Sequence, residues 1–194
     1  VTVERPRRAD ARRNRERVLD AAEAVFAAKG TSASTDEIAR TAGVGVGTVF
    51  RHFPTKETLL EAVFVGRLQR LAAEADGLAT ADDPGPALFA FFARIVDQAA
   101  TKKAFVDALA EAGVDVEDAA ARGGGGLRGR LGVLLNRAQA AGAVRSDLGV
   151  EELLALLVGT SRAVEHAGAA DGDAGRRARI VAVVVDGLRV PPSP

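Results

Sequence analysis

The chain has 194 residues, no net charge and no cysteine, which excludes disulfides, zinc–thiolate sites and cysteine nucleophiles. That length suits one large domain, or a small domain joined to a larger one, and can bury a core without covalent staples. Two histidines, His52 and His166, are too few for a histidine-rich metal site.

Neutrality here sums unequal parts. Residues 1–57 carry 11 basic and 8 acidic side chains, and residues 58–194 carry 15 and 18. A basic front end on a neutral chain points to a local electrostatic task. No apolar run reaches the roughly 18 residues of a membrane span. The stretch VTVERPRRADARRNRER lacks the apolar core of a signal peptide. The expectation is a soluble, cytoplasmic protein.

Residues 1–9 read as a disordered basic arm. From Asp10 to Lys29 the apolar positions Val18, Ala21, Ala22, Val25 and Phe26 form the stripe of a half-buried helix, and Gly30 is its stop. Ser34-Thr35-Asp36-Glu37 reads as a capping box opening a short helix. Gly43 ends that helix, and a second short helix fits Val46 to Arg51 before Pro54. Thr55 then caps a long helix, apolar on one face to about Asp76, whose length carries it into a second domain. Further helices fit 86–100, 102–112, 127–141, 150–167 and 174–189. Residues 113–126, ending in four glycines, read as irregular. The run Val183-Val184-Val185 alone could be a strand, but its flanks are helical and no partner strand exists. The fold class is therefore all-α, with domains expected at 10–55 and 56–189 and a tail at 190–194.

The segment DEIARTAGVGVGTVFRHFPTK, residues 36–56, carries the chemistry. Two short helices joined by a tight glycine turn have the layout of a helix-turn-helix. The second helix presents Gly45, Val46, Gly47, Thr48 and Arg51, and the Phe50 ring is suited to pack against sugar. Small residues let a helix approach base edges. Valine and the threonine methyl suit thymine methyls, and the Thr48 hydroxyl suits a base or phosphate. His52 and Lys56 follow where donors commonly meet the DNA backbone. The arginines at 7, 8, 12, 13, 15 and 17 would suit an arm entering a minor groove, against the plainer reading of a solvated tail.

On VLDAAEAVFAAKG (18–30), STDEIARTAGV (34–44) and GTVFRHFPTKETLLEAV (47–63), the chain resembles the DNA-binding domain of the TetR (tetracycline-repressor) family of transcriptional regulators. Two positions depart from the family pattern. Gly45 stands where a capping serine is common, and Phe50 stands where a tyrosine is usual. The resemblance implies an all-helical homodimer with an N-terminal helix-turn-helix domain and a C-terminal ligand-binding and dimerisation domain. It implies a repressor released from a palindromic DNA operator by a small molecule. It places Phe64, Phe89, Phe92, Phe105 and Leu109 on helices around an effector pocket. Polar residues on otherwise apolar faces, Arg67, Asn136, Thr160, Arg162 and His166, are further leads, since a buried polar group needs a partner; the first three are taken as pocket candidates. Core packing is the plain alternative for each of them. The apolar excess suits a hydrophobic effector.

The helices at 150–167 and 174–189 are apolar on more than one face, so each is expected to cover a second subunit as well as its own core. The Gly123–Gly126 run reads as a flexible loop or a gate beside the pocket. No catalytic residue, metal ligand or cofactor site is expected, since no nucleophile–base pairing or metal spacing is apparent. Two rivals remain at this stage: an all-helical enzyme, and a ligand- or partner-binding protein with weak or lost DNA binding.

Overall fold

The computed structural model describes residues 4–124, 126–171 and 174–190. Over these residues the chain runs through α1 (Glu4–Lys29), α2 (Thr35–Ala42), α3 (Val46–His52), α4 (Lys56–Leu78) and α5 (Pro84–Asp97). It continues through α6 (Ala99–Glu111), α7 (Val116–Gly124), α8 (Leu127–Ala140), α9 (Val150–Asp171) and α10 (Ala174–Leu188). Among the described residues the only strand-like pairing is an isolated antiparallel bridge between Val144 and Arg189. The valine run is helical, as its flanks require. No described helix is long and apolar enough to cross a membrane.

The backbone divides into two compact units. One holds the chain up to Arg67 together with Lys103–Gly123; the other holds Leu68–Lys102 and the chain from Gly124 onward. The units thus divide elsewhere than the expected break at residues 55 and 56. The reason lies in the first turns of α4, where Leu59, Leu60, Val63 and Phe64 are buried and belong to the core of the first unit.

In the first unit, α1 packs on α2 and α3 through Val18, Ala22, Val25 and Phe26 on one side and Ile38, Ala39 and Val49 on the other. Phe105 of α6 meets Phe26 edge-on, with ring centroids 5.8 Å apart, a favoured aromatic geometry. The segment 113–126, expected to be irregular, contains α7. Asp115 caps it, its carboxylate accepting the Asp118 amide at 2.9 Å, and Ala119 is fully buried. The glycines break the helix only at its far end; Gly125 lies outside the described residues. The expected arm over 1–9 is also corrected: from Glu4 onward it is the start of α1. Alanine and arginine favour helix, and Pro6 sits in the first turn, where its missing N–H has no intrahelical acceptor to lose. Residues 1–3 of the arm and 191–194 of the tail lie outside the described residues.

In the second unit, α5 lies against α8 and α9, and α9 against α10. Their core holds Leu88, Phe91, Phe92, Val96, Leu131, Leu134, Leu135, Leu153 and Leu188. Arg137 of α8 donates to the carbonyls of Leu78 (3.4 Å) and Ala81 (2.9 Å). Those carbonyls lie at and just beyond the C-terminus of α4, where a cation suits the helix dipole. Gly85 allows the close approach of α5 to the loop after α8, since a Cβ there would lie 2.4 Å from that of Ala143.

Candidate nucleic-acid interface

The helix-turn-helix is assembled from backbone caps. Ser34 accepts the Glu37 amide at 3.2 Å. The reciprocal half of the expected capping box is replaced, because the Glu37 carboxylate pairs with Lys29 of α1. At the other end of α2, Gly43 adopts φ 63, a left-handed conformation that favours glycine. The Gly43 amide then donates to the Arg40 carbonyl at 3.1 Å and the Val44 amide to the Ala39 carbonyl at 3.0 Å, closing the helix as a Schellman motif. Arg17 of α1 donates to the carbonyls of Ala42 and Gly43. The arginine counted from sequence as part of a DNA-seeking arm instead holds the turn.

α3 begins at Gly45 with no side-chain cap; the Thr48 amide donates to the Gly45 carbonyl at 2.8 Å. Val49 is fully buried and Phe53 nearly so, and Arg15 lies over the Phe53 ring, 5.1 Å from its centroid. These two residues hold one side of α3 against the unit. Helical spacing turns Val46, Phe50, Gly47 and Arg51 outward in a continuous arc, and all four are exposed. A Cβ at Gly45 or Gly47 would meet nothing within 4 Å. Thr48 and His52 are half-buried at the margin of the arc, with the His52 ring 6.4 Å from that of Phe53.

Lys56, half-buried, opens α4. Thr55 and Thr58 cap that helix reciprocally, each hydroxyl accepting the other's amide at 3.2 Å. Glu57, the next residue, has its carboxyl held below the usual range, first by a backbone amide at the helix start and then by the Thr55 hydroxyl. The eight residues expected to touch DNA therefore all lie on α3, at its cap or at the adjoining start of α4.

The eight expected pocket residues do not share a unit. Phe64, Arg67, Phe105 and Leu109 belong to the first, and Phe89, Phe92, Asn136 and Thr160 to the second. Phe64, Phe105 and Leu109 are core. Arg67 lies 3.6 Å from Glu23 of α1, with its guanidinium 5.5 Å from the Phe105 ring centroid. In the second unit Phe92 is core, and Phe89 carries Arg189 over its ring at 4.5 Å. Thr160 is buried on α9. Asn136 is exposed, because it lies on the face of α8 opposite Leu131, Leu135 and Ala138; its period placed it on the helix but not on the buried side. Arg162 and His166 on α9 are exposed as well.

Residues 18–63 match the family model described as bacterial regulatory proteins, tetR family. Residues 83–190 match the SbtR-like transcriptional regulator C-terminal domain. A crystal structure of a TetR transcription regulatory protein from Mycobacterium vanbaalenii is 45% identical, with 94% of this chain and 99% of that one covered and a TM-score of 0.76. A TetR transcriptional regulator from Streptomyces coelicolor is 34% identical, with 92% and 99% covered and a TM-score of 0.73. The HTH-type transcriptional regulator SrpR of Pseudomonas putida is 48% identical over 60 residues, which span 30% of this chain and 28% of SrpR. With the helix-turn-helix in place, the second model covering more than half of the chain and full-length relatives on both counts, the chain belongs to the TetR family of DNA-binding transcriptional regulators.

Proposed function

We propose that this protein is a repressor that binds a palindromic DNA operator as a homodimer and is released by a small hydrophobic effector. The carrying observation is the outward arc of α3: two open glycines, two exposed apolar side chains and Arg51, on the more basic part of the chain. In the complex, α3 enters the major groove and Thr48, Arg51, His52 and Lys56 contact bases or phosphates. Gly45 removes one side-chain cap and phosphate contact, and Phe50 removes a hydroxyl, so the remaining cations carry more of the affinity.

Dimerisation through α9 and α10 is supported by Val158 and Val183, apolar side chains 62% and 72% exposed on helices whose other faces bury Leu153, Leu157 and Leu188. A dimer would set two copies of α3 about 34–36 Å apart or somewhat more, matching successive major grooves. Effector binding would favour a geometry with another spacing, by no more than the ligand's preference for that state. The second unit is the favoured effector site, because the buried Thr160 accompanies a phenylalanine- and leucine-rich core. An effector there would bind mainly by apolar burial.

An electrophoretic shift with the DNA flanking its own gene tests the reading. Expected is a saturable, salt-sensitive complex that withstands excess random duplex. Complete absence of specific binding, with the protein folded and dimeric, would favour the rival of a ligand-binding protein that has lost its DNA.

A further inference from the structure

Seven of the eight phenylalanines are buried, from Phe26 on α1 to Phe105 on α6, whereas Phe50 on α3 is 43% exposed. Val46, one helical turn before it, is 38% exposed. Among the described residues these are the exposed large apolar side chains of the first unit, and they stand side by side at positions i and i+4. A single exposed apolar residue is ordinary. An adjacent pair, set beside Arg51 and Lys56, is apolar surface framed by positive charge, which fits a polyanion whose groove offers methyl groups.

The rest of α3 narrows the chemistry. Residues 45–52 read GVGTVFRH, with no amide and no carboxylate. The usual bidentate partner of adenine is Asn or Gln, and the usual acceptor for the cytosine amine is Asp or Glu. Neither can be supplied here. Arg51 can take guanine, and Thr48 and His52, half-buried at the margin of the arc, offer one hydroxyl and one imidazole, neither of them a bidentate partner. What remains to distinguish an A·T pair and its orientation in the major groove is the thymine C5-methyl, and Val46 and Phe50 are the side chains placed to meet it. The open space beside Gly45 and Gly47 lets the backbone come close enough for a side chain as short as Val46 to reach the base edges.

We infer that the operator half-site is read chiefly through thymine methyl groups, with Val46 and Phe50 as the specificity-determining residues. This rests on the operator-binding reading above. The two residues act by apolar contact, so they set which base pairs are accepted rather than the salt dependence, which belongs to the cations.

The test uses the full chain and double-stranded DNA. Sites are first selected from a random duplex library, then resynthesised with deoxyuridine in place of each thymidine in turn, which removes only the methyl. Expected are half-sites with thymines under α3, and a loss of about fourfold in affinity for each contacted methyl, the value of one buried methyl(ene) group. Val46→Ala should erase the penalty at one thymine and Phe50→Ala at another, with the salt slope unchanged. Both side chains are exposed, so the variants should keep wild-type helix content and melting, which circular dichroism checks. Selected half-sites without A·T pairs, or uracil-substituted sites bound within about twofold of the originals, would overturn the inference while leaving operator binding intact. Failure to select any DNA would instead overturn operator binding, and the inference with it.

Discussion

Individual arginines in α1 have separate tasks that their clustering in sequence conceals. Arg17 bonds the carbonyls that end α2, whereas Arg12 makes an exposed pair with Glu16 at 3.6 Å. Exposed pairs contribute little, while a charged donor on a carbonyl at a helix end contributes about 1.5 kcal/mol or more. Arg17→Ala should therefore lower stability in urea by about 1.5 kcal/mol, and Arg12→Ala by less than about 0.5 kcal/mol. Equal effects would refute the assignment. Lys56 belongs to the DNA side instead. If it contacts a phosphate, Lys56→Ala should weaken binding to all duplexes alike and reduce the slope of log affinity against log salt by about 0.9, read from shifts at several salt concentrations. In the loop after α8, the Asp147 carboxyl is held below its ordinary value first by the hydrogen-bonded Arg145 side chain. A depressed carboxyl adds stability that is present above its unfolded pKa of 3.8 and is lost as the pH falls through the folded value. Because the pair is exposed, Asp147→Asn should reduce stability at neutral pH only slightly and flatten its decline in acid, in melts taken from pH 6 downward.

Among the helices, the decisive features are their ends. α2 is only 8 residues long, too short to persist alone in water, so its caps and buried face must hold it. Ser34→Ala removes the bond to the Glu37 amide and should cost about 1 kcal/mol. Glu37→Ala should cost less, because the carboxylate serves a pair with Lys29 rather than the Ser34 amide. Denaturant midpoints of the two variants decide between this arrangement and a full capping box. The same reasoning applies to α7, whose N-terminus rests on Asp115. Asp115→Ala should loosen that helix first, seen as faster amide exchange at Ala119 and Ala120 before any change in global melting.

Assembly is where the two-faced helices matter. Leu157 of α9 is buried in its own unit, only 5% exposed, whereas Val158 beside it faces outward. Leu157→Glu should therefore unfold the protein, by burying an unpaired charge. Val158→Glu and Val183→Glu should instead give folded monomers, if α9 and α10 form the dimer interface. Sedimentation and circular dichroism together separate these outcomes. A Val158→Glu variant that remains a dimer would exclude that part of α9 from the interface. The folded monomers should lose operator affinity far beyond the loss of one side chain, because two half-sites bound together gain from effective concentration.

Helix existence, the helix-turn-helix and the family were legible in the linear order of residues because they depend on local rules: a 3.6-residue apolar period, caps such as Ser34, and Gly43 at a left-handed turn. The small outward face of α3 is legible in the same residues, but Phe50 joins it only in the structure, where Val49 and Phe53 are the inward side. Local rules could not say which side of a doubly apolar helix faces its own core, that of Leu157 or that of Val158, and by them Asn136 reads as a pocket residue although it is exposed. They also missed α7, where glycines suggested a break that begins only after Ala119 is buried and Asp115 has capped the helix. Arg17 needed carbonyls more than twenty residues away, at Ala42 and Gly43, to become a fastener of the turn rather than part of an arm. Each of these was decided by partners distant in sequence, since burial and hydrogen bonding depend on which surfaces meet in three dimensions and periodicity reports only what one helix offers.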